Sequence, residues 1–140
     1  NSDRSALCSG GAIRWYPRTR MSTTYALLIY RADPVSAPIL EIEERAALAG
    51  HRAVQAEASA RGELHAVARL DEPSSARTLR SRSGAHEVTD GPFIESKEWL
   101  VGFYVVDCDS EEQALARARQ ICPDDAHVVE VRPITWRWRP

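Results

Sequence analysis

Two segments of this chain are apolar on both sides of an extended backbone, and nothing else in the sequence limits the fold as strongly. Successive side chains of a strand point to opposite faces. In residues 99–106, Trp99, Val101, Phe103 and Val105 occupy one face and Leu100, Tyr104 and Val106 the other. Residues 24–30 (Thr-Tyr-Ala-Leu-Leu-Ile-Tyr) behave the same way. A strand that meets water on one side normally shows a polar face there. Both segments are therefore expected at the centre of a sheet that is covered front and back. At roughly 25 cal/mol per Å² of apolar surface, leaving several such side chains wet would cost several kcal/mol.

The remaining elements follow from punctuation and periodicity. The strand at 24–30 stops at Asp33-Pro34, and residues 39–61, free of internal proline and ending at Gly62, predict a long helix. Two stripes compete for its buried face. Ile39, Ile42, Ala46, Ala49, Ala53, Ala56 and Ala60 form one, and Leu40, Ala47, His51, Val54 and Ala58 the other. Alanine on nearly every side leaves the rotation open.

Residues 64–70 alternate and stop at Asp71-Glu72-Pro73, which predicts a second strand. Residues 76–81 and 86–89 flank Ser83-Gly84 and predict a polar hairpin at one edge of the sheet. After Asp109, Ser110 with Gln113, or Asp109 with Glu112, makes a capping box for a helix to about residue 121. A last strand is expected at 127–132. The order β-α-β-(β-β)-β-α-β predicts an α+β domain of ferredoxin-like type, with two helices on one face of a largely antiparallel sheet. The opposite face then lacks cover. A second copy packed sheet to sheet about a two-fold axis supplies it, so a homodimer is expected.

Composition narrows the function classes. At 140 residues, 44% apolar and 27% charged, the chain fits one globular domain and has no run long enough to span a bilayer as a helix. Residues 1–20 have no lasting apolar period and precede Met21, the only methionine, so they are expected to be a leader or start-site extension outside a domain at 21–140. They hold four arginines against one aspartate. Residues 21–140 keep 14 basic against 19 acidic side chains, a net −5, which argues against a nucleic-acid partner. Cys8, Cys108 and Cys122 form no C-x-x-C pair, and their odd number suits a reducing, cytoplasmic setting. With the four histidines they offer no metal-ligand spacing.

One segment carries a family likeness: Val88-Thr89-Asp90-Gly91-Pro92-Phe93 followed by Glu95-Ser96-Lys97-Glu98, extended by Gly102-Phe103-Tyr104 and Glu130-Val131-Arg132-Pro133. From about Thr24 to Ile134 the chain resembles the YCII-related family of DGPF-motif proteins. The resemblance implies a dimeric α+β barrel. It also implies a histidine on the first helix and an aspartate nearby, proposed for relatives as an acid/base pair, and these map to His51 and Asp90. Trp99, the missing glycine before Val128, the Arg-rich leader and the Trp136-Arg137-Trp138-Arg139 tail depart from the family pattern.

On residues alone, Asp90 before Gly91-Pro92 is a turn former or a carboxylate at a pocket rim. His51 borders a pocket if its own stripe faces the sheet, and is a surface residue otherwise. Lys97, the sole lysine, and Arg132 are candidates to hold an anionic group, or in the case of Lys97 to pair with Glu95 and Glu98. Phe93 and Tyr104 complete the expected substrate contacts. His65, His86 and His127 carry no motif. The tail, with alternating indole and guanidinium groups, suits stacking on single-stranded bases or packing on the body or a partner.

Two readings of function stay open. One is a small-molecule-binding domain that performs His/Asp-assisted proton transfer, an elimination or isomerisation, on a small organic substrate without metal or organic cofactor. The other is a non-catalytic dimeric accessory or regulatory protein, linked to a sigma factor as relatives are often encoded.

Overall fold

The computed structural model describes residues 4–9, 12–17, 22–32, 41–94, 96–122 and 125–140. In chain order the elements are β1 (Arg4–Ser9), β2 (Ala12–Pro17), β3 (Thr23–Ala32), α1 (Glu41–Ala60), β4 (Leu64–Arg69), β5 (Arg77–Arg82), β6 (Ala85–Asp90), β7 (Glu98–Cys108), α2 (Glu111–Ile121) and β8 (His127–Pro133), with a short 3-10 turn at Pro73–Ser75. The segment expected as a leader contributes the antiparallel pair β1–β2.

The central sheet runs β4-β7-β3-β8, with every neighbouring pair antiparallel. The two strands that are apolar on both faces, β3 and β7, lie side by side in the middle. Their register sets Leu27 opposite Tyr104 and Leu28 opposite Phe103. The α+β class, ferredoxin-like strand order and antiparallel sheet thus follow the sequence pattern.

Both helices cover one face. Tyr25, Leu27 and Ile29 of β3 and Tyr104, Val106 and Cys108 of β7 form a buried cluster with Val54 and Ala58 of α1 and Ala114 and Ile121 of α2. The stripe that contains Val54 and Ala58 faces the sheet, with Ala47 and His51 half-buried beside it, while Ala46, Ala49, Ala53, Ala56 and Ala60 are exposed. Leu40 and Ile39 lie outside the described residues. Branched Val54 decides the rotation, because its burial removes more apolar area from water than an alanine can.

Helix α1 also meets α2 closely. A Cβ on Gly50 would stand 1.9 Å from the Gln120 carbonyl oxygen, so only glycine fits there. Ser110 caps α2 by accepting from the Gln113 N–H at 3.1 Å, and the Gln113 side chain accepts in return from the Asp109 N–H at 2.6 Å. Beneath the helix, Arg117 is buried, donating at 2.9 Å to the Glu63 carboxylate and at 2.8 Å to the Asp107 carbonyl. One guanidinium thereby ties α2 to the entry of β4 and to β7.

The β5–β6 hairpin corrects one expectation. It forms a separate two-stranded sheet and does not extend the edge of the central one. Every residue in it except Thr78 is exposed. With arginine at three of six positions in β5, its apolar surface is confined to the cross-strand pair Leu79–Val88, too little to hold it on the body.

Candidate functional site

Helix α1 and strand β7 bring His51 and Tyr104 together on the helix-covered face. The His51 Nδ1 lies 2.6 Å from the Tyr104 hydroxyl, and the Gln55 amide donates to the same oxygen at 3.1 Å. The two rings stack with centroids 5.7 Å apart. Positions 51 and 55 are one helical turn apart, so both reach the same point on the sheet. Tyr104 is buried at 1% exposure, whereas His51 keeps part of its ring accessible. Among the described residues, no hydrogen bond is made by His51 Nε2.

Burial holds the His51 imidazole below its usual value of 6.5, and the nearby His127 adds to this. The ring is therefore neutral at pH 7. Burial likewise pushes the Tyr104 phenol up, partly offset by the Gln55 hydrogen bond. A neutral imidazole braced by a phenol at the edge of an apolar core can accept a proton or donate one, according to its tautomer.

The other residues picked out by sequence fall elsewhere. The Asp90 carboxylate is 90% exposed and pairs with Arg77 at 3.2 Å across the hairpin. Among the described residues it makes no hydrogen bond or ion pair with His51. Phe93 is 64% exposed with the Arg80 guanidinium 4.7 Å above its ring, a cation–π contact that anchors the loop after the hairpin. Lys97 is exposed just before β7. Glu95 lies outside the described residues. Arg132 is exposed and pairs with Glu130 two residues away. Of the six, only His51 and Tyr104 meet.

A histidine–aspartate pair does form, from residues not singled out by sequence. On the face opposite the helices, His65 Nε2 of β4 lies 2.8 Å from one Asp107 oxygen, and the Thr24 hydroxyl of β3 donates to the other at 2.6 Å. Burial alone would raise the Asp107 carboxyl, but the hydrogen bonds from Thr24 and His65, helped by the charges of His65 and Arg137, outweigh it and hold the group below its ordinary value. The antiparallel pairing of β4 with β7 was the signal available. The sequence pattern ended this strand at residue 106, whereas β7 runs on to Cys108.

A third feature is a cleft of about 330 Å³ at the root of the hairpin, walled by Leu70, Pro73, Pro92, Trp99 and Leu100, with Asp71 and Glu72 among its lining residues. Among the described residues, no group of three or more histidines, cysteines or carboxylates could hold a metal ion. No described helix is long and apolar enough to cross a membrane.

The profile of the YCII-related domain matches residues 23–139. The chain belongs to the YCII-related family. A relative in Rhizobium meliloti (strain 1021), described as an uncharacterized protein, is 38% identical over 112 residues, which cover 79% of this chain and 90% of the relative. The YCII-related domain thus takes in the whole central sheet, both helices and the exposed hairpin, and leaves the β1–β2 pair outside.

Proposed function

We propose that this YCII-related domain binds a small organic molecule between α1 and the sheet and transfers a proton there through His51. The observation that carries the reading is the 2.6 Å contact between His51 Nδ1 and the Tyr104 hydroxyl, on an imidazole that burial keeps neutral. In the working tautomer Nδ1–H donates to the Tyr104 oxygen, which also accepts from Gln55. The Nε2 lone pair is then left to act as base on a carbon-bound or hydroxyl proton and, once protonated, as acid toward a leaving group or an adjacent carbon. That sequence is an elimination or an isomerisation, and neither needs an outside oxidant. Asp90 stays outside this pair and serves the hairpin through Arg77.

The domain works as a two-fold homodimer in this reading. Ala26, Leu28 and Tyr30 of β3 and Phe103 and Val105 of β7 share the face away from the helices, and a second copy would remove them from water. The free thiol of buried Cys108 suits a reducing cytoplasm.

The second reading, a non-catalytic accessory dimer of DGPF type, is favoured by the Asp90–Arg77 pair, since a carboxylate committed to an exposed turn has no catalytic partner. Nitrogen-15 NMR of the imidazoles separates the two. The enzyme reading expects His51 as a neutral Nδ1–H tautomer at pH 7, relaxing to a mixture in Tyr104→Phe and unchanged in Asp90→Asn. An Nε2–H tautomer in the parent protein would remove the base and leave the accessory reading.

A further inference from the structure

The C-terminal tail alternates Trp136, Arg137, Trp138 and Arg139, and its two indoles are 77% and 69% exposed. Each could bury on the order of 200 Å² in a suitable site. The cleft at the hairpin root is such a site. Trp99, Leu100, Leu70 and Pro92 give it flat apolar walls, and Asp71 and Glu72 add negative charge. Indole and guanidinium on the tail thus face apolar surface and carboxylate in the cleft. The Asp71 carboxylate is fixed by accepting from the Glu72 N–H at 2.8 Å.

The tail cannot fill the cleft of its own chain. Pro133 pairs with Tyr25, and the Ile134 N–H bonds the Thr24 carbonyl, whereas Trp99 and Leu100 pair with Arg31 and Tyr30 at the other end of the same strand. That is about 20 Å along β3 at 3.3 Å per residue. The cleft also lies by the β4 edge, whereas the tail leaves from the end of β8, about 14 Å away across three strand spacings. Trp136 and Trp138 stand two and four residues beyond Ile134, a reach of at most about 7 and 14 Å. Arg137 further holds the tail near its own Asp107.

We infer that the cleft at the hairpin root receives the Trp-Arg tail of a second copy of this chain. The inference builds on the two-copy assembly proposed above. A two-fold axis lying between the two open faces, parallel to them and perpendicular to the diagonal that joins tail and cleft, exchanges these opposite corners, and the tail of one copy then begins next to the cleft of the other.

The test uses a fluorescein-labelled peptide of residues 134–140 and, as acceptor, the full chain carrying Trp136→Ala and Trp138→Ala, whose own tail cannot compete. With the peptide held at trace concentration, its fluorescence anisotropy is expected to rise to saturation at acceptor concentrations below about 1 mM. Adding Asp71→Lys and Glu72→Lys to the acceptor is expected to weaken binding about ten-fold or more. Circular dichroism of each acceptor checks that it is folded, and Asp71→Asn with Glu72→Gln gives a milder variant if the lysines disturb the turn. No saturable rise, or equal binding by the charge-altered acceptors, overturns the inference. Sedimentation of the parent chain reports the assembly separately. A dimer that ignores the peptide sinks the tail docking alone, and a peptide-binding monomer sinks the sheet-to-sheet reading alone.

Discussion

The two faces of one sheet treat histidine in opposite ways. Under the helices, His51 meets a phenol, and burial strips it of charge. On the other face, His65 meets a carboxylate whose own ionised form is favoured by its neighbours. The first pair is neutral and sits against the apolar core, which suits proton exchange with a bound molecule. The second can form an ion pair, and it would become buried only if another copy covered it. What a histidine does here is thus decided by the layer above the strand, and the strand alone does not determine it.

Adjacent leucines offer the sharpest way to break this contrast. Leu27 is fully buried beneath the helices, so Leu27→Ala is expected to destabilise the fold by about 2–5 kcal/mol, read from the urea midpoint. Leu28, its neighbour on the open face, is expected to cost the isolated fold less and to raise the dimer dissociation constant, read by sedimentation at several concentrations. Equal effects on both measurements would erase the distinction between the faces.

Next in size is the buried tie under α2. Arg117→Ala leaves Glu63, at 12% side-chain exposure, with only the half-exposed Arg61 guanidinium at 3.0 Å and takes the donor from the Asp107 carbonyl, and is expected to cost about 3 kcal/mol, with partial recovery when Glu63→Gln removes the under-compensated charge as well. Thermal unfolding of the single and double variants checks it.

The pH response sharpens the comparison further. His51 has a folded-state value lowered from 6.5, so below about pH 6.5 the unfolded chain binds its proton more readily than the folded one. Its contribution to stability is complete above that pH and declines as pH falls toward the lowered value. His51→Gln should flatten this part of the stability curve. Asp107 titrates further down: its contribution is present above its unfolded value of 3.8 and is lost as pH falls through the depressed folded one. Asp107→Asn is expected to produce the smallest change at neutral pH, about 0.5–1 kcal/mol, and to be salt-sensitive.

Much of the architecture was legible because it rests on local rules. Gly62 and Pro73 mark chain breaks, and the Ser110–Gln113 cap starts α2 where it was expected. The rotation of α1 was hidden by its alanines. One valine at position 54 settles it through packing against β3 and β7, which no periodicity of small residues encodes. The His65–Asp107 pair spans 42 residues and arises from strand pairing, so reading each segment alone could not reveal it. His51 and Tyr104 were both picked out, one from the family likeness and one from a strand motif. Their contact depended on the same hidden rotation.

Gly50 gives that rotation a second anchor. Because the Gln120 carbonyl occupies the space where a side chain would stand, α1 cannot roll without driving a larger residue against the end of α2. The imidazole on the very next residue is therefore aimed from behind, by a backbone oxygen on the neighbouring helix. Substitutions near residue 120 could thus retune the reach of His51 while leaving every group around the ring unchanged.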